Sequence, residues 1–264
     1  MPAAQPFSAP PPLAADTASA KPPSPLLLLL EGRALWELGA SIAASPFMGH
    51  APKGDGHAVL VFPGLSANDV STIPMRNFLR DRGYEAYPWN YGFNFGPRSG
   101  VLRGCVEHVR ELHEKHGCKV SLVGWSLGGL YAREVAKLVP DLVRCVVTLG
   151  TPFTGNPKAN YAWRVYEWIS DGKVDAPEVQ AQLRVPPPVP TTSIYSRTDG
   201  IVAWQCCINP LGSLTENIEI HASHFGMGLN PAALYAVADR LAQPEGAWRV
   251  FDRSGVRKWF FKAA

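Results

Sequence analysis

The sequence predicts an α/β fold, a mostly parallel sheet with helices on both faces and a small helical cap after the strand ending near residue 149. Three observations lead there. Short runs of β-branched and aliphatic residues alternate with segments whose apolar residues recur at helical spacing. The alternation is regular, as strands joined by crossover helices require. With 264 residues, 46% of them hydrophobic, the chain is long enough for one sizeable core, and no second domain of comparable size is evident. The predicted organisation is a tail over 1–25, a helix and linker over 26–56, the main domain over 57–245 and an aromatic, basic segment over 246–264.

Residues 1–25 hold eight prolines among alanines and serines, a composition that buries too little apolar surface to offset its ordering entropy, so disorder is expected. Leucines 26–30, Trp36 and Ile42 suggest a helix over 26–44, broken at Ser45-Pro46 and covering a hydrophobic edge of the core. Contact with substrate or membrane is the less favoured role for it. The five-leucine run is too short for a signal-peptide core. Glu31 and Arg33 follow at once and only Lys21 precedes it, so a cytoplasmic location is expected. Five scattered cysteines, Cys206 and Cys207 adjacent, read as reduced thiols and not as a disulfide framework.

The core begins with a buried strand over 57–62 that ends at Pro63-Gly64-Leu65. A helix follows, with Ser71 or Thr72 as cap, Pro74 in its first turn and Gly83 as its stop. A second strand over 84–89 places Pro88 at its end, before a loop over 90–100. Val101, Leu102, Cys105, Val106, Val109 and Leu112 then mark a helix closed by Gly117. Residues 119–123 form a third strand, 130–138 a helix stopped by Pro140, and 143–149 a fourth strand ending at Gly150-Thr151-Pro152.

Between 153 and 190 the alternation is interrupted. Trp163, Tyr166 and Trp168 make this an aromatic-bearing insertion at the end of the sheet where ligands enter α/β proteins, and it reads as a cap or lid. The alternative is that these aromatics are core residues of a longer crossover. Strands resume at 191–196 and 217–220, each followed by polar loop residues, first Asp199-Gly200 and then His221 and His224. Asn230-Pro231 caps the last helix, which runs to Leu241.

Gly124-Trp125-Ser126-Leu127-Gly128 lies between the third strand and its helix. A turn that tight brings the positions two residues either side of the serine into collision unless both are glycine, and it lifts the hydroxyl clear of the sheet. The serine also stands at a helix N-terminus, which favours developing negative charge. Asp199 and His224 follow later strands and so reach the same sheet edge as Ser126. Two competitors exist. His221 adjoins its strand while His224 lies farther into the loop, and Asp175 falls in the insertion and not after a strand.

Together the elbow, the Pro63-Gly64-Leu65 turn, the Asp199 turn and the His224 loop resemble the α/β-hydrolase superfamily, in particular its lipase- and esterase-like bacterial members, over about two thirds of the chain. The resemblance implies Ser126 as nucleophile, His224 as base and Asp199 as the acid that orients it. It also implies an oxyanion hole of the Leu65 and Leu127 N–H groups. Trp125, Trp163 and Trp168 are candidate substrate contacts. The expected activity is hydrolysis of small, lipophilic carboxylic esters through an acyl-enzyme. An acyltransferase with the same residues, or a binding protein on the same fold, are the alternatives.

Nothing suggests a metal or a cofactor: zinc-ligand spacing, a phosphate-binding loop and a dinucleotide fingerprint are all missing. The net charge of +3 does not argue for a nucleic-acid partner. The aromatics of 246–264 are expected to pack back onto the domain, with membrane-surface contact the less favoured reading.

Overall fold

The computed structural model describes residues 20–155, 159–160 and 177–262. Its centre is a six-stranded sheet, all neighbours parallel, made of β1 (Ala58–Phe62), β2 (Glu85–Pro88), β3 (Val120–Trp125), β4 (Val143–Leu149), β5 (Thr191–Ser196) and β6 (Thr215–Ile220). The strand order is β2-β1-β3-β4-β5-β6. The chain therefore steps outward from β1 to β2, then crosses back to β3 and proceeds the other way. The gap beyond the carboxyl ends of β1 and β3 is the switch point at which open α/β sheets bind ligands.

Both faces of the sheet are covered, which is why strands β1, β3 and β4 are mostly apolar and not alternating. On one face Val59, Val61, Val123 and Val147 pack with Met75 and Leu79 of helix Ile73–Asp81 and with Ala233, Leu234 and Val237 of helix Pro231–Leu241. On the other, Ala58, Leu60, Phe62 and Leu122 meet Cys105, Val109 and Leu112 of helix Val101–His116 and Tyr131, Ala132 and Val135 of helix Leu127–Leu138. Burying each of these valine, leucine, phenylalanine and methionine side chains contributes about 1.5–3 kcal/mol before the entropy of ordering is set against it.

The N-terminal segment differs from the sequence expectation. Helix Pro25–Leu29, capped by the Ser24 side chain, leads through a 3₁₀ turn, Leu30–Arg33, into helix Ala34–Met48. That helix does not break at Ser45-Pro46. The helix runs on through both residues to Met48. Nor does the segment lay its leucines on the core. Leu29, Leu35 and Trp36 are 78%, 79% and 82% exposed, while Glu31 is 4% exposed. The apolar side faces out and the charged side faces in.

The C-terminal stretch divides its aromatics. Phe251 and Phe261 are buried against each other, 4.6 Å between ring centres, and Glu216 accepts the Phe251 N–H at 2.8 Å. Trp259 and Phe260 are exposed.

At the amino ends of the strands lies a hydrogen-bonded chain that sequence reading missed. His57 Nε2 is 2.8 Å from Ser121 Oγ, and Nδ1 bonds Asp55, which also accepts from Arg144 at 2.7 Å. The residue types are those of a catalytic triad, but Ser121 is fully buried in mid-sheet and sits on no elbow. Burial, reinforced by Arg144, outweighs Asp55 and holds the His57 imidazole below its ordinary pKa. We expect Ser121→Ala to cost about 1–3 kcal/mol, because it strands a buried ring nitrogen. A denaturant titration measures that loss, and labelling by a serine-directed probe should be unchanged.

Candidate active site

The tight turn after β3 is present in the form its residues demand. Ser126 has φ 53° and ψ −123°, a strained conformation for a residue with a side chain. Its N–H donates to the Leu149 carbonyl at 2.8 Å, and its own carbonyl accepts from Thr151 Oγ1 at 2.9 Å. A Cβ on Gly124 would overlap the Gly129 backbone, and one on Gly128 the carbonyls of Phe62 and Pro63. Both glycines are therefore needed for contact distance, although neither has positive φ.

Three side chains from three loops meet there. His224 Nε2 lies 3.0 Å from Ser126 Oγ, and His224 Nδ1 lies 2.7 Å from Asp199 Oδ2. The other Asp199 oxygen accepts the N–H groups of Ile201 and Val202, each at 2.8 Å. Those two bonds fix the carboxylate in rotation, so that one oxygen is held toward the ring. His221 is on the surface, its carbonyl bound by the Asn230 side chain at 3.0 Å. Asp175, Trp163, Tyr166 and Trp168 lie outside the described residues.

All three side chains are buried, Ser126 at 6% exposure, Asp199 at 3% and His224 at 4%. Burial alone pushes the His224 pKa down. The charge and hydrogen bond of Asp199, joined by the charge of Glu31, outweigh it, and the pKa stands above its ordinary value. Gly150, with φ 55°, lies beneath this pair; a Cβ there would be 3.1 Å from His224 Nδ1 and 3.2 Å from Asp199 Oδ2.

A cavity of about 500 Å³ opens over Ser126, with Leu65, Ala67, Trp125, Ile201 and Phe225 in its mostly apolar wall. Trp125 has a second task, donating from its indole N–H to the His224 carbonyl at 3.1 Å. Leu127 begins its helix, so its N–H is one of the donors a helix start leaves free. Leu65 lies in the turn after β1, which is shaped by Asn94, a residue that sequence reading passed over. Asn94 is fully buried. It donates from its side chain to the Pro63 carbonyl at 2.8 Å and from its N–H to the Ala67 carbonyl at 2.8 Å, and its carbonyl accepts the Ser66 N–H at 2.7 Å. Its only sequence signal was a loop asparagine. No group of three or more His, Cys, Asp or Glu side chains suited to a metal ion occurs among the described residues, and none of their helices is long and apolar enough to cross a membrane.

A parallel sheet with a serine elbow after the strand beside its switch point, and with acid and histidine loops after later strands, defines the class of α/β proteins with a hydrolase fold. Residues 58–261 match the profile of the Alpha/beta hydrolase family, and the chain belongs to that family. It is similar to a triacylglycerol lipase of Burkholderia plantarii, with 32% identity over 138 residues, which is 47% of this chain and 37% of the relative. It is also similar to a triacylglycerol lipase of Pseudarthrobacter phenanthrenivorans, with 31% identity over 115 residues, 40% of this chain and 36% of the relative. The chain thus spans little more than a third of the length of these relatives. Among solved structures, Aspergillus fumigatus lipase B shares the fold with a TM-score of 0.58 at 15% identity, over 73% of this chain and 53% of that one. Paleococcus ferrophilus monoacylglycerol lipase does so with a TM-score of 0.51 at 15% identity, over 72% and 96%.

Proposed function

We propose that the protein is a serine hydrolase that cleaves carboxylic esters, lipophilic ones in preference, through an acyl-enzyme on Ser126. The observation that carries this reading is the chain Ser126 Oγ, His224, Asp199, with spacings of 3.0 and 2.7 Å, opening into a mostly apolar cavity. The lipase names of the relatives agree with it.

In this mechanism Ser126 Oγ attacks the acyl carbon while its proton passes to His224 Nε2. The carbonyl oxygen becomes an oxyanion, which the N–H groups of Leu65 and Leu127 receive. Collapse breaks the bond to the alkoxy oxygen, which leaves as the alcohol with the proton from His224. Water then attacks the acyl carbon, giving a proton to His224. The second collapse frees the carboxylic acid and returns the proton to Ser126. Asp199 holds the ring in the tautomer that presents an unprotonated Nε2 and stabilises the imidazolium between steps. No step needs a metal or a cofactor. The five free thiols agree with a reducing compartment, and a cytoplasmic location is part of the proposal.

The test is a series of activated esters of increasing acyl length. Each methylene buried along Trp125, Ile201 and Phe225 adds up to roughly 0.8 kcal/mol, so medium-chain esters should exceed acetate in kcat/KM severalfold to tens of fold. The proposal includes Trp163 and Trp168 as acyl contacts, so their alanine variants should narrow the difference. A flat profile would remove the lipophilic preference, and no turnover of any ester would remove the hydrolase reading.

A further inference from the structure

Resting on the hydrolase reading above, we infer that Glu31 is a positioning residue: one buried carboxylate that clamps together the two loops bearing Asp199 and His224 and supplies a second negative charge to the histidine. Glu31 sits in the 3₁₀ turn Leu30–Arg33. Its Oε1 accepts the N–H of Gly200 at 2.7 Å and the N–H of His224 at 2.9 Å, and its Oε2 accepts the N–H of Phe225 at 3.0 Å. Gly200 follows the acid directly, and His224 is itself the base. Charge-assisted bonds of this kind are roughly twice as strong as neutral ones, and three on one buried side chain fix the relative position of two loops that otherwise end separate strands.

The neighbouring contacts point the same way. Arg33 donates to the Thr198 carbonyl at 2.6 Å, on the acid loop, and Glu37 accepts the Ser223 N–H at 2.6 Å and the Ser223 hydroxyl at 3.0 Å, on the histidine loop. The loops are cut to receive this segment. A Cβ on Gly200 would overlap the Leu27 carbonyl, and one on Gly226 would overlap the Glu37 carboxylate.

The groups facing His224 can be named. Asp199 comes from the loop after β5 and Ser126 from the elbow, while Glu31 comes from the N-terminal segment, where Arg33 and Glu37 pair with each other at 3.4 Å. His221, on the same loop, is on the surface. Glu31 thus acts with Asp199 to favour the imidazolium, the charged form that the mechanism creates in its first step. Loss of that charge lowers the proton affinity of the ring, and loss of the clamp lets the ring drift.

The experiment uses the full chain with Glu31→Ala and Glu31→Gln. A misplacement of about 1 Å costs on the order of a hundredfold, so Glu31→Ala should lower kcat by that order, with KM changed much less. In both variants the acid limb of kcat/KM should move to lower pH, since the negative charge is gone. Glu31→Gln, which keeps one carbonyl acceptor and the side-chain volume, should recover part of kcat but not the original limb. NMR provides readouts independent of activity: the His224 ring titrates at lower pH, and the amides of Gly200, His224 and Phe225 lose exchange protection. If the alanine variant does not fold, the glutamine variant decides. Wild-type kcat and an unmoved acid limb in a folded variant would overturn the inference. If the wild type turns over no ester while the NMR changes occur, the hydrolase reading fails and the clamp stands.

Discussion

Replacing Ser126 by alanine is expected to lower ester turnover by on the order of a millionfold, the cost of losing the nucleophile in a well-studied serine protease, and to end labelling by a fluorophosphonate. The Ser126 oxygen is the one 3.0 Å from His224 Nε2, and Ser121, a serine bonded to a different histidine, is fully buried in the sheet. The fold should survive, because alanine meets the same backbone strain at φ 53° and gives up no more than one side-chain hydrogen bond. Circular dichroism and single-turnover kinetics check the two halves of this expectation. Substantial turnover by the folded variant would end the serine-hydrolase proposal.

His224→Ala is expected to be as damaging, since removal of the base costs about as much as removal of the nucleophile in the same protease, while His221→Ala should keep most of the rate. The reverse ranking would move the base to His221. The pH dependence follows from the same residue. His224 accepts the serine proton only when neutral, and its pKa is raised above 6.5. Activity should therefore be full at pH values above that raised pKa and fall as pH drops through it, about tenfold per unit in kcat/KM below it. An acid limb centred below 6.5 would contradict the raised value.

Much of this architecture was legible in the sequence because its signals are local. Strand β4 was readable at 143–149 from a run of aliphatic residues, and helix Val101–His116 from its 3.6-residue apolar period between a loop and Gly117. The elbow was legible because two glycines around a serine answer a steric demand within five residues. The acid and histidine loops were readable as polar residues following strands, and the structure brings Asp199 and His224 to Ser126. The sequence misled at the N-terminal segment, where leucines suggested a core-facing helix. Its hydrophobic count gave no hint that the buried contacts would be those of Glu31, Arg33 and Glu37.

What the sequence by itself determined is the order of elements, the parallel sheet and the five-residue turn, since these follow from period, turn chemistry and the handedness of crossovers. What only the tertiary structure decided is everything that joins distant loops. Glu31 lies 193 residues from His224, and the atoms it binds are backbone N–H groups, which every residue but proline carries and no side chain announces. Gly200 illustrates the division. In sequence it was the second half of an Asp-Gly turn; in the folded chain its missing side chain makes room for the Leu27 carbonyl. Asn94 shaping the Leu65 turn is of the same kind. Local patterns specify a residue's own backbone, whereas the partner of a buried polar group is chosen by packing among segments far apart along the chain.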